Sequence, residues 1–282
     1  MEIVKTVEEV RARVKQWRAE GLSVGLVPTM GYLHKGHRSL IERAVQENDR
    51  VVVSVFVNPI QFGPKEDLAS YPRDIERDKA LCKSAGADLI FHPTPDDMYT
   101  KNFSTFIDMD TMTKGLCGKT RPIHFRGVCT VVGKLFNIVQ PDRAYFGEKD
   151  AQQLAVIRHM VEDLNFNLEV VGCPIIREDD GLAKSSRNTY LSPAERKAAT
   201  ILYKGLEKGR ELFEAGERDA EVIKQAVTEV IESEPLAKID YVEIVDWKTL
   251  DPVKKIFDPV LNAVAVYIGK TRLIDNHIYK EV

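Results

Sequence analysis

The chain has 282 residues, of which 44% are hydrophobic and 29% charged, with a formal net charge of −3 at pH 7. These values describe a globular protein with one large or two modest cores, and they exclude the strongly basic field by which nucleic-acid binders usually act. No apolar stretch reaches the length of a membrane span and Met1 to Lys5 carries no signal-peptide core, so a cytoplasmic protein with no membrane partner is expected.

In chain order, the first two-thirds alternates helix and strand signals. Thr6 to Glu20 reads as a surface helix, Ser23 to Thr29 as a buried strand, Arg38 to Asn48 as a helix and Arg50 to Val57 as a strand rich in β-branched residues. Ile75 to Ser84 is predicted helical and Asp88 to Phe91 extended. Val128, Val131, Val132, Leu135, Phe136 and Val139 recur at helical spacing and mark one buried face. Arg143 to Phe146 and Leu168 to Val171 are further strands, and the helix between them carries Leu154, Ile157, Val161 and Leu164. Strands joined by helices of this length imply an α/β fold, a parallel sheet with helices on both faces. Ligands in such sheets bind at the carboxyl ends of the strands, where Thr29, Asn58 and Gly147 lie.

The pattern changes after Arg177. A polar, glycine-containing loop, Glu178 to Asn188, leads to Ser192 and Pro193 at the start of a long helix, and a second helix runs from Asp219 to Glu232. Two strands, Asp240 to Val245 and Ala263 to Ile268, complete a smaller α+β unit. The expected domains are residues 1–177 and 178–282. Cys82, Cys117, Cys129 and Cys173 are widely spaced with no C-x-x-C pair, which reads as reduced core thiols rather than a zinc site or disulfide framework.

The segment richest in chemistry is Pro28-Thr29-Met30-Gly31-Tyr32-Leu33-His34-Lys35-Gly36-His37-Arg38-Ser39, which reads as a strand end, a glycine-bearing turn and a helix start. Imidazoles and backbone amides at a helix N-terminus suit a polyphosphate, because amides and dipole attract the anion and the rings donate to phosphoryl oxygens. The H-x-G-H arrangement points to nucleotidyl transfer, with attack on the α-phosphate of ATP and release of pyrophosphate. Capping or surface histidines and a zinc site are the alternatives. The flanking glycines weigh against both, and zinc also lacks an obvious third ligand.

Four further segments carry polar groups of the right type. Phe56 to Gly63 leaves the second strand, and the Gln61 amide both donates and accepts, which fits a substrate with hydroxyl and carboxylate groups. Tyr145 to Gln153 repeats the strand, glycine, helix pattern: Asp150 is a candidate N-cap, Lys149 a mobile charge for phosphate, and Gln153 lies one turn on, facing the cleft. Gly181 to Asn188 brings Lys184, Ser185, Ser186 and Arg187 on a loop that can gather around β,γ-phosphates and close over a reactive intermediate. Arg121 to Val128 sets basic residues and His124 ahead of the buried helix, either as an ordinary helix start or as lining for an acid-substrate pocket. His92, His159 and His277 attract no functional reading.

Together, P-T-M-G-Y-L-H-K-G-H, F-V-N-P-I-Q-F-G, R-P-I-H-F-R-G-V, F-G-E-K-D-A-Q-Q and D-G-L-A-K-S-S-R-N-T-Y-L-S resemble the pantothenate synthetase family, in order from about residue 24 to 192. The H-x-G-H turn alone marks only the broader nucleotidyltransferase superfamily. The resemblance implies a Rossmann-like ATP- and pantoate-binding domain, a C-terminal α+β lid domain, a homodimer and a need for Mg²⁺ with ATP. It implies an AMP-forming ligase that condenses (R)-pantoate with β-alanine to give pantothenate, AMP and pyrophosphate through pantoyl adenylate.

Carried over by position, the resemblance assigns ATP contacts to Met30, Gly31, Tyr32, Leu33, His34, Lys35, Gly36 and His37, with His37 as proton donor and His34 and Lys149 as further catalytic residues. Gly147, Glu148, Lys149, Asp150, Ile176, Lys184, Ser185, Ser186 and Arg187 complete the ATP site, Gln61 serves pantoate and β-alanine, and Gln153 serves pantoate. The metal ligands are not identified. The chain departs from the family at Lys184, where the loop commonly reads M-S-S-R, and retained activity is expected. A nucleotidyltransferase that leaves the nucleotide on its product shares the H-x-G-H turn but does not account for Gln61 and Gln153 together. A non-catalytic nucleotide sensor would bind ATP without releasing pyrophosphate, and a tRNA-charging role lacks its basic surface.

Overall fold

The computed structural model describes residues 1–64 and 66–280. Among these, β1 (Glu2–Val4), β2 (Val24–Thr29), β3 (Arg50–Val55), β4 (Leu89–Phe91), β5 (Arg143–Gly147) and β6 (Glu169–Cys173) form one sheet in the order β1-β4-β3-β2-β5-β6. Every pairing in it is parallel. The helices are α1 (Val7–Ala19), α2 (Lys35–Glu47), α3 (Ile75–Ser84), α4 (Pro95–Met98), α5 (Leu116–Thr120), α6 (His124–Val139) and α7 (Ala151–Asp163). The near-continuous apolar run of β3, buried from Val51 to Val55, follows from a sheet covered on both faces. On one side, Leu40, Ile41 and Ala44 of α2 pack with Val27, Val51 and Val53, while α6 packs against α1 and β2. β1 was not anticipated; its three residues are too few to show a period, and its pairing with β4 is what holds it.

Towards the C-terminus lie α8 (Pro193–Ala198), α9 (Ile201–Glu214), α10 (Ala220–Glu232) and the antiparallel strands β7 (Ala237–Asp246), β8 (Val260–Ile268) and β9 (Thr271–Tyr279). Leu202, Leu206, Ile223, Val227 and Ile231 of the helices share a core with Val264 and Val266 of the sheet. The single long helix expected after Ser192 is two. Thr200 donates its hydroxyl to Lys197 O at 2.9 Å and its N–H bonds the same carbonyl, a tight turn that separates α8 from α9. The third strand, β9, went unread because Asp275, Asn276 and His277 interrupt its apolar pattern; Asp275 and Asn276 are nonetheless buried. A two-residue turn joins β8 to β9, with Gly269 at φ +59°, a conformation that suits glycine.

By contacts the chain divides into two compact units. One holds Met1–Thr111, Arg121–Glu148 and Val156–Pro174, and the other holds Met112–Thr120, Lys149–Ala155 and Ile175–Val282. Gln152 ties the second unit's separate pieces together: its Oε1 accepts from Cys117 N at 2.9 Å, and its Nε2 donates to Met112 O at 2.9 Å and Gly115 O at 3.0 Å. Cys82, Cys117, Cys129 and Cys173 are all buried free thiols. Burial pushes Cys82 and Cys129 up to about 12 and Cys173 to about 11, so these three stay protonated and inert. No helix among the described residues is long and apolar enough to cross a membrane.

Candidate active site

The sheet order defines a switch point. From β2 the chain builds outward through β3 and β4 on one side, then returns to β5 on β2's other edge. Ligands of open parallel sheets bind where the strand order reverses, outside the carboxyl ends of the strands. The H-x-G-H turn leaves β2 there, and Gly147 and Glu148 leave β5. A Cβ on Gly147 would meet nothing within 4 Å, so this glycine answers no packing need of the protein and leaves the strand end bare.

Two successive residues of the turn are left-handed, Gly31 at φ +80° and Tyr32 at φ +50°. Glycine takes that conformation freely, whereas tyrosine holds it only where its surroundings demand it. Asp78, on α3 and 1% exposed, supplies the demand: Oδ2 accepts Tyr32 N at 2.9 Å and Oδ1 accepts Leu33 N at 2.6 Å. The Arg77 guanidinium lies over the Tyr32 ring at 4.5 Å, and Leu33 is fully buried below. Burial raises the Asp78 carboxyl above its ordinary value, although the two amide bonds oppose that rise.

The turn delivers His34 and His37 as the capping pair of α2. His34 Nδ1 accepts Gly36 N at 3.1 Å, and His37 Nδ1 accepts His34 N at 3.3 Å, so both rings cap the helix through Nδ1, as the capping alternative expected. Because each Nδ1 accepts from a backbone N–H, the neutral ring carries its proton on Nε2 and presents an N–H donor. The ring centroids are 4.1 Å apart. α1, α3, α8 and α10 carry acidic residues in their first turns; α2 carries none, so no carboxylate of its own first turn offsets the positive end of its dipole.

Gln61, 6% exposed, ends the 3-10 turn Pro59–Gln61, and its Nε2 donates to Met30 Sδ at 3.1 Å. The second and first motifs therefore meet. Beside Met30 and Gly31 opens a cavity of about 410 Å³, lined also by Phe56, Arg73, Asp78 and His92. His92 Nδ1 donates to Val55 O at 2.7 Å.

After β5, a 3-10 turn Glu148–Asp150 runs straight into α7, so Asp150 sits in the turn, 3.3 Å from Lys149 Nζ. Asn276 Nδ2 anchors this turn by donating to Lys149 O at 3.0 Å, and Gln153 is half-buried. Ile176 and Lys184 come together, with Lys184 N donating to Ile176 O at 2.9 Å across a short hairpin that turns at Gly181. Ser185 caps the 3-10 turn Ser186–Tyr190, and Ser186 is buried. Arg177 braces the hairpin base through both oxygens of buried Asp275, at 2.6 and 3.0 Å. Among the described residues no three His, Cys, Asp or Glu side chains gather into a metal-binding group.

A family model described as Pantoate-beta-alanine ligase matches residues 2–278. The chain belongs to the pantoate–β-alanine ligase family. The pantothenate synthetase of Clostridium acetobutylicum is 62% identical over 276 residues, covering 98% of each chain, and that of Enterococcus faecalis is 61% identical over 280 residues, covering 99% of each. Among solved structures, a pantothenate synthetase of Thermus thermophilus matches with a TM-score of 0.94 at 49% identity, over 98% of this chain and 99% of that one. The pantoate-beta-alanine ligase of Francisella tularensis, complexed with beta-gamma ATP and beta-alanine, matches with a TM-score of 0.81 at 33% identity, over 99% of this chain and 97% of that one.

For a pantoate–β-alanine ligase, Lys184 is the departure to explain. Its ammonium pairs with Glu178, six residues back on the same hairpin, so the added charge is neutralised within the loop. Sequence reasoning missed Asp78 and Gln152. Each acts through a fold contact with a distant backbone or side chain, and no local pattern marks it. The aspartate at position 78 has the appearance of an ordinary first-turn acid on α3.

Proposed function

We propose that this ligase joins (R)-pantoate to β-alanine at the switch point of its parallel sheet, with MgATP as the activating substrate. A carboxylate is a poor acylating agent. Its oxygen attacks the α-phosphorus of ATP, the bond to the β-phosphate bridging oxygen breaks, and pyrophosphate leaves. The β-alanine amine then attacks the acyl carbon, the bond to the adenylate oxygen breaks, and AMP leaves with pantothenate formed.

The observation that carries this reading is the His34 and His37 pair, capping α2 with Nε2–H donors at a helix end that has no first-turn carboxylate. Donors aimed at charge developing on a phosphoryl group stabilise the transition state more than the ground state. We assign His37 the role of proton donor and charge stabiliser, with His34 and Lys149 as partners in catalysis. ATP contacts are assigned to Met30 through His37, to Gly147 through Asp150, and to Ile176 and Lys184 through Arg187. Gln61 is assigned to pantoate and β-alanine, and Gln153 to pantoate. Mg²⁺ is proposed to arrive on the triphosphate, held largely by phosphate oxygens and water. Residues 1–177 are proposed as the ATP- and pantoate-binding domain and 178–282 as the lid, in a cytoplasmic homodimer.

The test is product release from ATP, Mg²⁺ and (R)-pantoate, first without and then with β-alanine. Sustained turnover only with β-alanine, giving pantothenate and AMP in equal amounts, supports the ligase. Pyrophosphate without amine-dependent AMP would leave only the adenylation half standing, and no pyrophosphate in either arm would overturn the reading.

A further inference from the structure

We propose that Tyr99 is a positioning residue that holds the Asn58 amide in the orientation set by the Gly127 carbonyl and thereby keeps the polarity of the Gln61 amide fixed, so that Gln61 meets substrate only as a hydrogen-bond donor. The proposal rests on the assignment of Gln61 to pantoate. Between the two lies Asn58, 1% exposed on the loop after β3. Its amide makes three contacts: Nδ2 donates to Gly127 O at 3.1 Å and to Gln61 Oε1 at 2.9 Å, and Oδ1 accepts from the Tyr99 hydroxyl at 2.6 Å.

The oxygen and nitrogen of an amide are interchangeable in shape, so their placement follows from what surrounds them. Gly127 O is a carbonyl and only accepts, so the Asn58 atom facing it is nitrogen. That leaves Asn58 Oδ1 towards Tyr99, where the phenol donates. The same Asn58 nitrogen faces Gln61 and requires an acceptor, so Gln61 turns Oε1 inward and Nε2 towards Met30. A flipped Gln61 would set NH₂ against NH₂, and a flipped Asn58 would set oxygen against oxygen. Burial raises the Tyr99 hydroxyl above its ordinary value, which keeps it protonated as the donor the chain requires. Phe103 holds the ring edge-on at 4.9 Å. Glycine at 127 permits the close approach, since a Cβ there would fall 2.5 Å from Gln61 Cα.

The outward N–H of Gln61 rests on a thioether, a weak acceptor that a hydroxyl or carboxylate oxygen readily displaces. Gln61 therefore selects for an oxygen acceptor. It meets the hydroxyl or carboxylate of pantoate.

The test is steady-state kinetics on the wild type, Tyr99→Phe, Gln61→Ala and the double variant. Phenylalanine keeps the ring packing and removes only the donor. Tyr99→Phe should raise the KM for pantoate by about 3- to 10-fold, the worth of one ordered hydrogen bond, and leave the KM for ATP unmoved. In the Gln61→Ala background the same change should add nothing. A Tyr99 effect that multiplies with that of Gln61, or an unchanged pantoate KM in Tyr99→Phe, overturns the proposal while the functional reading stands. A wild type that does not turn over pantoate overturns both.

Discussion

Asp78 and Leu33, 45 residues apart in the chain, meet through a 2.6 Å hydrogen bond from the Leu33 amide to a carboxylate oxygen buried under the H-x-G-H turn. The other oxygen takes the Tyr32 amide, so one side chain satisfies two consecutive backbone donors of a left-handed turn. Asp78→Ala should destabilise the protein by about 2–4 kcal/mol, because two buried N–H groups lose their acceptor. It should also slow adenylate formation by on the order of 10²-fold through misplacement of the histidines. Urea unfolding and single-turnover pyrophosphate release measure the two effects separately.

The same carboxylate gives a pH dependence of definite sign. Its folded value is raised above the ordinary 3.8, with burial as the leading cause. In the window between the two values the folded protein holds a proton that the unfolded chain has lost, so this contribution to stability falls as pH rises. Relative to Asp78→Asn, the wild type should lose stability as pH climbs from 3.8 through the raised value. A difference that instead grows with pH would show that the amide bonds outweigh burial.

His37→Ala should slow the adenylation step by on the order of 10²–10⁴, the range for a positioned acid–base group. Rapid-quench measurement of pyrophosphate from ATP and pantoate checks this. An unchanged single-turnover rate would remove His37 from the chemistry.

Lys184→Met restores the residue common in the family and releases Glu178 from its partner. Both side chains are partly exposed, 24% for Lys184 and 29% for Glu178, so the pair is worth no more than about 1 kcal/mol. Turnover should stay within about 5-fold of wild type, since a change of that size in free energy permits no more. Much higher turnover in the variant would mean that Lys184 impairs the enzyme.

The α/β class, the parallel sheet and most elements were legible because buried strands such as Val51 to Val55 and the face of α6 carry unambiguous periods. The H-x-G-H turn was legible for a different reason: glycines and histidines at those spacings have few other uses. Short β1, the break at Thr200 and polar β9 were not, because pairing and side-chain bonding decide them rather than local pattern. Within the site, Gln61 stood out by residue type and position. The groups that hold it, Asn58, Gly127 and Tyr99, come from loops and a helix as many as 69 residues apart, and only the fold brings them together.

The most direct test of acyl adenylation follows an oxygen atom. Pantoate labelled with ¹⁸O at both carboxylate oxygens is turned over with unlabelled ATP, Mg²⁺ and β-alanine, and the products are weighed by mass spectrometry. Attack of the carboxylate on the α-phosphorus predicts one ¹⁸O in AMP and one in the amide carbonyl of pantothenate. AMP without the label, or ¹⁸O in the pyrophosphate, would contradict it.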